Sequence, residues 1–412
     1  MRQADRRLAG LMLRLVLVLG LVLGLTGVPT AEASRDVGLA LSVPRPTSAA
    51  AIGTASLRLV DRGRMDPWTP GRQRELMVSV LYPAIPRNEP YAAYASEAFG
   101  PVLAADWLPL IGLEGPELDY ARTRTNARLG AAVRGRQHPV ILYSPGLGTS
   151  RTFGTQQLED LASRGYIVVA IDHTGEAPVE FPGGRIERAT MPPSDDTEVY
   201  RQAIRTRVDD LRFVLDELAR WRGGQAGLPR GLDQAMDLTK IGVLGYSAGG
   251  FAAAEAMLID RRIDVGVNLD GAMVYDLDGK VLGESALRGL DRPFLLFGSD
   301  GHHHAVPVGS PDYDPSWAAF WQHQRGPKLD LNLVGSRHPS FADYQFAIPQ
   351  LAAAYPIPPE TVTAGIGDIV PSRSIKAQRA YLAAWFDQYL SHRPQPLLRG
   401  PSPRYSEVDF IR

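Results

Sequence analysis

The chain has 412 residues, 44% of them hydrophobic and 22% charged, a globular composition that allows one large domain or a few smaller ones. Its formal net charge is −1, so there is no basic excess to draw nucleic acid or an anionic membrane surface. Cysteine is absent, which excludes disulfides, thiolate metal sites and a cysteine nucleophile.

The chain starts with Arg2, Arg6 and Arg7, an apolar run from Leu15 to Val28, and the small-x-small pattern Ala31-Glu32-Ala33 before Ser34. That order reads as a signal peptide over residues 1–33, exported by the general or the twin-arginine route. The apolar run is shorter than the ~20 residues a membrane span needs. The expectation is a mature chain of residues 34–412, soluble outside the cytoplasm and folded as a single domain.

Residues 34–55, rich in Ala and Pro, read as a loose approach. Short strand-like runs follow at Ser56–Val60 and Leu76–Tyr82. Residues 86–136 hold much Pro, Ala and Tyr with the cluster Trp107, Leu108, Leu110, Ile111 and Leu113, and read as a helical insertion, either a covering element or a lid. From Pro139 the pattern is regular. Strand-length apolar runs occur at Val140–Tyr143, Ile167–Ile171, Ile241–Leu244, Val265–Leu269, Phe294–Phe297 and Leu329–Leu333. Between or after them fall predicted helices at Gln156–Arg164, Glu198–Trp221, Gly249–Ile259, Trp317–His323, Phe341–Ala347 and Ile375–Leu390. Near-continuous apolar strands alternating with helices predict an α/β fold, a mostly parallel central sheet with helices on both faces. Ligand sites in such sheets lie beyond the carboxyl ends of the strands.

At one such end stands Gly245-Tyr246-Ser247-Ala248-Gly249, between the run Ile241–Leu244 and the helix-forming FAAAEAML. The bare G-x-S-x-G is weak; the strand–turn–helix setting makes Ser247 the candidate nucleophile of an α/β-hydrolase. The glycines permit a turn too tight for side chains and push the serine out over the sheet. An acyl-transfer site also needs two N–H donors for the carbonyl oxygen. Ala248, after the nucleophile, supplies one, and Leu147 in the turn Pro145-Gly146-Leu147-Gly148 the other. Of the later histidines, His338 follows the last core strand and is the candidate base. His302, His303 and His304 form a run whose alternative use is a metal site; His323 and His392 stand in helical or terminal contexts. Asp270 and Asp300 each end a strand, and either could orient His338.

GYSAGG, VNLDGAM and SRHPSFADYQF, with YSPGLGTSR and ASRGYIVVAIDH before them, resemble the platelet-activating factor acetylhydrolase family, plasma-type enzymes and bacterial relatives. The resemblance spans about residues 74–392, and the stretch around His338 is its most specific part. It implies the α/β-hydrolase fold, Ser247, Asp270 and His338 as the triad with Asp300 set aside, and Leu147 and Ala248 as oxyanion donors. It implies no cofactor and, as substrate, a short-acyl lipid or small ester. One departure stands out: Pro145 takes the place of the histidine in that family's usual Ser-His-Gly-Leu-Gly. Such sequences also resemble predicted dienelactone hydrolases, which keeps polyester or lactone hydrolysis and long-chain lipolysis as alternatives, with an inactive binding protein the remotest. Trp317, Phe320 and Trp321 form an aromatic face, read either as core or as a lipid-docking surface.

Overall fold

The apolar runs assemble into one sheet because each needs cover on both faces. The computed structural model describes residues 38–222, 224 and 227–412; the expected signal peptide lies outside them. Fourteen strands occur among the described residues: β1 (Ile52–Met65), β2 (Gln73–Ile85), β3 (Tyr91–Ala93), β4 (Arg124–Leu129), β5 (Ala132–Val133), β6 (His138–Ser144), β7 (Ile167–Asp172), β8 (Val179–Phe181), β9 (Arg185–Glu187), β10 (Met236–Tyr246), β11 (Val265–Leu269), β12 (Phe294–Ser299), β13 (Lys328–Leu333) and β14 (Val408–Ile411). Twelve form a single sheet in the order β14-β13-β12-β11-β10-β6-β7-β2-β1-β4-β3, with β5 pairing β2 off that path; β8 and β9 make a separate ribbon.

The central block β7-β6-β10-β11-β12-β13 is parallel throughout. The long β1–β2 pair joins it antiparallel through β7, and β14 closes the other edge antiparallel to β13. Alternate residues of one strand serve two cores. Ile141 and Tyr143 face the helices Thr155–Ser163 and Pro371–Tyr389, whereas Val140 and Leu142 face Thr197–Trp221 and Ala248–Ile259. The helix Thr197–Trp221 starts where Oδ1 of Asp196 accepts the backbone N–H of Glu198 at 2.8 Å, an N-cap, and buries Val208, Leu211, Val214, Leu215 and Leu218 as the spacing predicts.

Two regions differ from the reading by sequence. Residues 86–136 are helical only over Gly100–Trp107 and two short 3₁₀ turns; the remainder supplies β3, β4 and β5 at the sheet margin. Arg124–Leu129 (β4), between β1 and the edge strand β3, is polar and largely half-buried, so it carries no apolar run to read. The segment is tied down: the Tyr94 hydroxyl donates to Oδ2 of Asp343 at 2.8 Å, and Trp107 and Tyr120 pack edge-on to Phe153. The approach is likewise anchored although irregular. Leu41 and Val43 are buried, Thr47 donates to Asp160, and Arg379 donates to the carbonyls of Pro44 and Arg45. Trp317 and Phe320 are fully buried and Trp321 is half-buried, so this aromatic face is core and not a lipid-docking surface. No helix among the described residues is long and apolar enough to cross a membrane.

Candidate active site

Four of the parallel strands end at one place. After β10 the chain turns at Ser247 with φ +55° and ψ −124°, an uncommon conformation for a residue with a side chain, and enters the helix Ala248–Ile259. A Cβ on Gly245 would collide with the Gly249 carbonyl, and one on Gly249 with the Ser144 carbonyl, so neither position has room for a side chain. The turn is pinned by the Ser247 N–H, which donates to the Leu269 carbonyl at the end of β11 (2.8 Å).

His338 and Asp270 meet this serine from two other strand ends. Nε2 of His338 lies 3.0 Å from Ser247 Oγ, and Nδ1 lies 2.6 Å from Oδ2 of Asp270. With Nδ1–H donating to the carboxylate, Nε2 is left as acceptor for the serine hydroxyl. The His338 side chain is 45% exposed and leans on the ring of Tyr246, whereas Asp270 is buried. Burial works against its ionisation, but the facing imidazoles of His302 and His338 outweigh that and hold Asp270 well below the usual carboxylate range. The backbone of Asp270 is itself left-handed, φ +59°, as that of Ser247 is.

Asp300, the alternative acid, lies one residue beyond β12 on the exposed surface and makes no hydrogen bond to His338. The three histidines of the run diverge and share no common centre. His302 reaches Asp270 and Asp314, whereas His304 donates to Asp330 and stacks on Trp321. His323 Nδ1 meets the Ala286 carbonyl, away from the site.

Leu147 sits in the turn after β6, the strand beside β10, and Ala248 opens the helix after Ser247. Among the described residues neither N–H has an intramolecular backbone acceptor, as an anion-binding pair requires. The turn is held from behind by a group that motif reading missed. Arg207 is buried on the apolar face of the helix Thr197–Trp221 and donates to the carbonyls of Pro145 (2.5 Å) and Gly146 (3.0 Å). Its charge is met by Glu176 at 2.6 Å, equally buried. Ser144, His173 and Asp210 continue this buried network toward Arg74. A charged pair on the inward side of an amphipathic helix, Arg207 and Asp210 among Ile204, Val208 and Leu211, is the signal that could have revealed it.

The model of the platelet-activating factor acetylhydrolase, isoform II, family matches residues 115–180, the stretch holding β6, the Leu147 turn and β7. A probable 1-alkyl-2-acetylglycerophosphocholine esterase from Arthroderma benhamiae is 29% identical over 279 residues, 66% of each chain. A platelet-activating factor acetylhydrolase from Cavia porcellus is 24% identical, over 56% of this chain and 54% of its own. The chain thus spans about half to two thirds of the length of these relatives. A solved ferulic acid esterase from Streptomyces cinnamoneus is 37% identical, with TM-score 0.75, covering 91% of this chain and all of its own. The chain is an α/β-hydrolase of the esterase type, similar in sequence to platelet-activating factor acetylhydrolases. On that fold the strand-end arrangement of Ser247, His338 and Asp270 can be given its chemistry.

Proposed function

We propose that this protein is a serine carboxylic-ester hydrolase acting on small or short-acyl lipid esters. The carrying observation is the Ser247–His338–Asp270 chain, with contacts of 3.0 and 2.6 Å, beside the Leu147 and Ala248 N–H groups. Ser247 Oγ attacks the ester carbonyl while His338 takes its proton, and the charge that forms on the carbonyl oxygen rests on the two N–H groups. Collapse expels the alcohol, which receives the proton from His338. Water, deprotonated by the same imidazole, then releases the acid. Asp270 keeps Nδ1 protonated and steadies the imidazolium. Apart from that water, these steps call on protein groups.

The exposed imidazole leaves the serine open to an ester presented from solvent. Export is part of the proposal and rests on the basic and apolar start of the chain. The Streptomyces relative supports a second substrate reading, a hydroxycinnamate ester, because that protein bears the name ferulic acid esterase and aligns over 91% of this chain.

Hydrolysis of p-nitrophenyl esters from acetate to palmitate, beside methyl ferulate and a short-acyl phospholipid, tests both readings with Ser247→Ala as control. Serine-dependent turnover peaking at short chains is expected. A peak at palmitate would make the protein a long-chain lipase, preference for methyl ferulate would select the second reading, and no turnover on any ester would sink the proposal.

A further inference from the structure

Asp270 carries two imidazoles rather than one. Its Oδ2 faces His338; its Oδ1 accepts the Ser299 N–H at 2.6 Å and faces Nδ1 of His302 at 2.8 Å. The opposite nitrogen of His302, Nε2, lies 2.9 Å from Oδ2 of Asp314. Asp314 is held in turn by capping the helix Pro315–His323, its Oδ1 accepting the Ser316 N–H at 2.8 Å. A neutral imidazole has one N–H and can satisfy only one of two carboxylates, whereas an imidazolium satisfies both. The His302 ring lies over buried Trp317, centroids 4.1 Å apart, a contact that favours a cation, and its side chain is 20% exposed.

We infer that His302 is held as an imidazolium between Asp270 and Asp314 and is a positioning residue that fixes the Asp270 carboxylate and withholds part of its charge from His338. The kinetic consequence rests on the ester-hydrolase reading; the protonation state does not. The groups facing His302 are Asp270 from the end of β11, Asp314 from the helix start, His338 across Asp270, and its neighbour His303; Asn332 on β13 donates to the His302 carbonyl and is neutral. Burial alone would discharge His302, but the two carboxylates outweigh it and push its pKa up to about 10. His338 must stay unprotonated to accept the serine proton. A second cation on the shared carboxylate opposes protonation of His338, and the more distant Asp314 offsets only part of that.

The test uses the full chain with His302→Gln and Asp314→Asn. Asp314→Asn retains a cap acceptor for Ser316 and leaves His302 one proton to give Asp270, so it removes charge and keeps position. In ¹⁵N–¹H imidazole spectra of the unaltered protein, His302 should show two protonated nitrogens at about pH 8. In kcat/KM for p-nitrophenyl acetate between about pH 4 and 9, the acid limb should move up by on the order of one pH unit in both variants. For Asp314→Asn the plateau should stay within about tenfold. A lowered plateau with an unmoved acid limb would mean that His302 is only structural, and the inference would fall. A neutral His302 in the spectra would overturn it whatever the activity. Absence of Ser247-dependent turnover would instead remove the functional reading, with the spectra still deciding the charge of His302.

Discussion

Two Ser–His–Asp chains of hydrogen bonds start from neighbouring strands of this sheet. One joins Ser247, His338 and Asp270 by contacts of 3.0 and 2.6 Å; the other joins Ser144, His173 and Asp210 by contacts of 2.9 and 3.0 Å. Residue types and distances are nearly the same. The surroundings differ. Ser247 stands on a turn at a helix start beside two free N–H groups and an exposed imidazole, whereas Ser144 ends β6 fully buried, its hydroxyl also accepting from Arg207 (3.2 Å). Burial, with Arg207 behind it, lowers the His173 pKa and keeps that ring neutral, while Arg74 and His173 overcome the burial of Asp210 and hold it ionised. The lesson is that a relay of three side chains becomes a catalytic centre only where a substrate can reach it and donors await the developing charge. The inner relay holds up the outer one, because Arg207 binds the carbonyls of the Leu147 turn.

The sharpest break in this comparison is a serine swap. Ser247→Ala should lower kcat by about 10⁴–10⁶, whereas Ser144→Ala should leave it within about tenfold and cost ~1 kcal/mol of stability instead. Equal losses of kcat, measured on folded protein, would erase the distinction. Next come the acids. Asp270→Asn should lower kcat by about 10⁴ and Asp300→Asn by less than about threefold; the reverse order would return the role to Asp300. Arg207→Met leaves Glu176 buried without its cation and should cost ~3–5 kcal/mol in denaturant unfolding. Arg207→Lys, which cannot reach both carbonyls and Glu176 in the same fork, should lower kcat by about 10–100-fold with KM little changed.

The smallest effect concerns stability against pH. His302, raised in the fold, contributes fully below its unfolded value near ~6.5, and the contribution fades as pH rises toward about 10. Asp270, depressed in the fold, contributes fully above its unfolded value near ~3.9 and loses it as pH falls further. Thermal unfolding followed across pH should therefore show the cluster's largest contribution between about pH 4 and 6.5, relative to His302→Gln. A constant difference between the two proteins from pH 4 to 9 would deny the charge on His302.

Much of the site was legible because each part ends a strand. GYSAGG announces a turn that excludes side chains, VNLD and LNLVGSRH each run a buried strand into a polar residue, and those features are local. The choice between Asp270 and Asp300 was not local. Both follow apolar strands, and only the reach of His338 from β13 back across β12 selects Asp270. His302 was lost in a run of three histidines, and its partner Asp314, the cap of the helix Pro315–His323, stands in no motif that would single it out. The margins β3 to β5 were hidden because these strands are short and only partly buried, so they need no apolar pattern.

By itself the sequence determined the alternation of buried strands and helices, hence a mostly parallel sheet, and the strained turn at Ser247, because backbone sterics and hydrophobic periodicity act within a few residues. Tertiary structure alone decided which aspartate meets His338, which histidine shares it, and which buried arginine holds the Leu147 turn. Those are pairings between strand ends and helix faces 32 to 68 residues apart, and the burial that fixes their charges exists only once both faces of the sheet are covered.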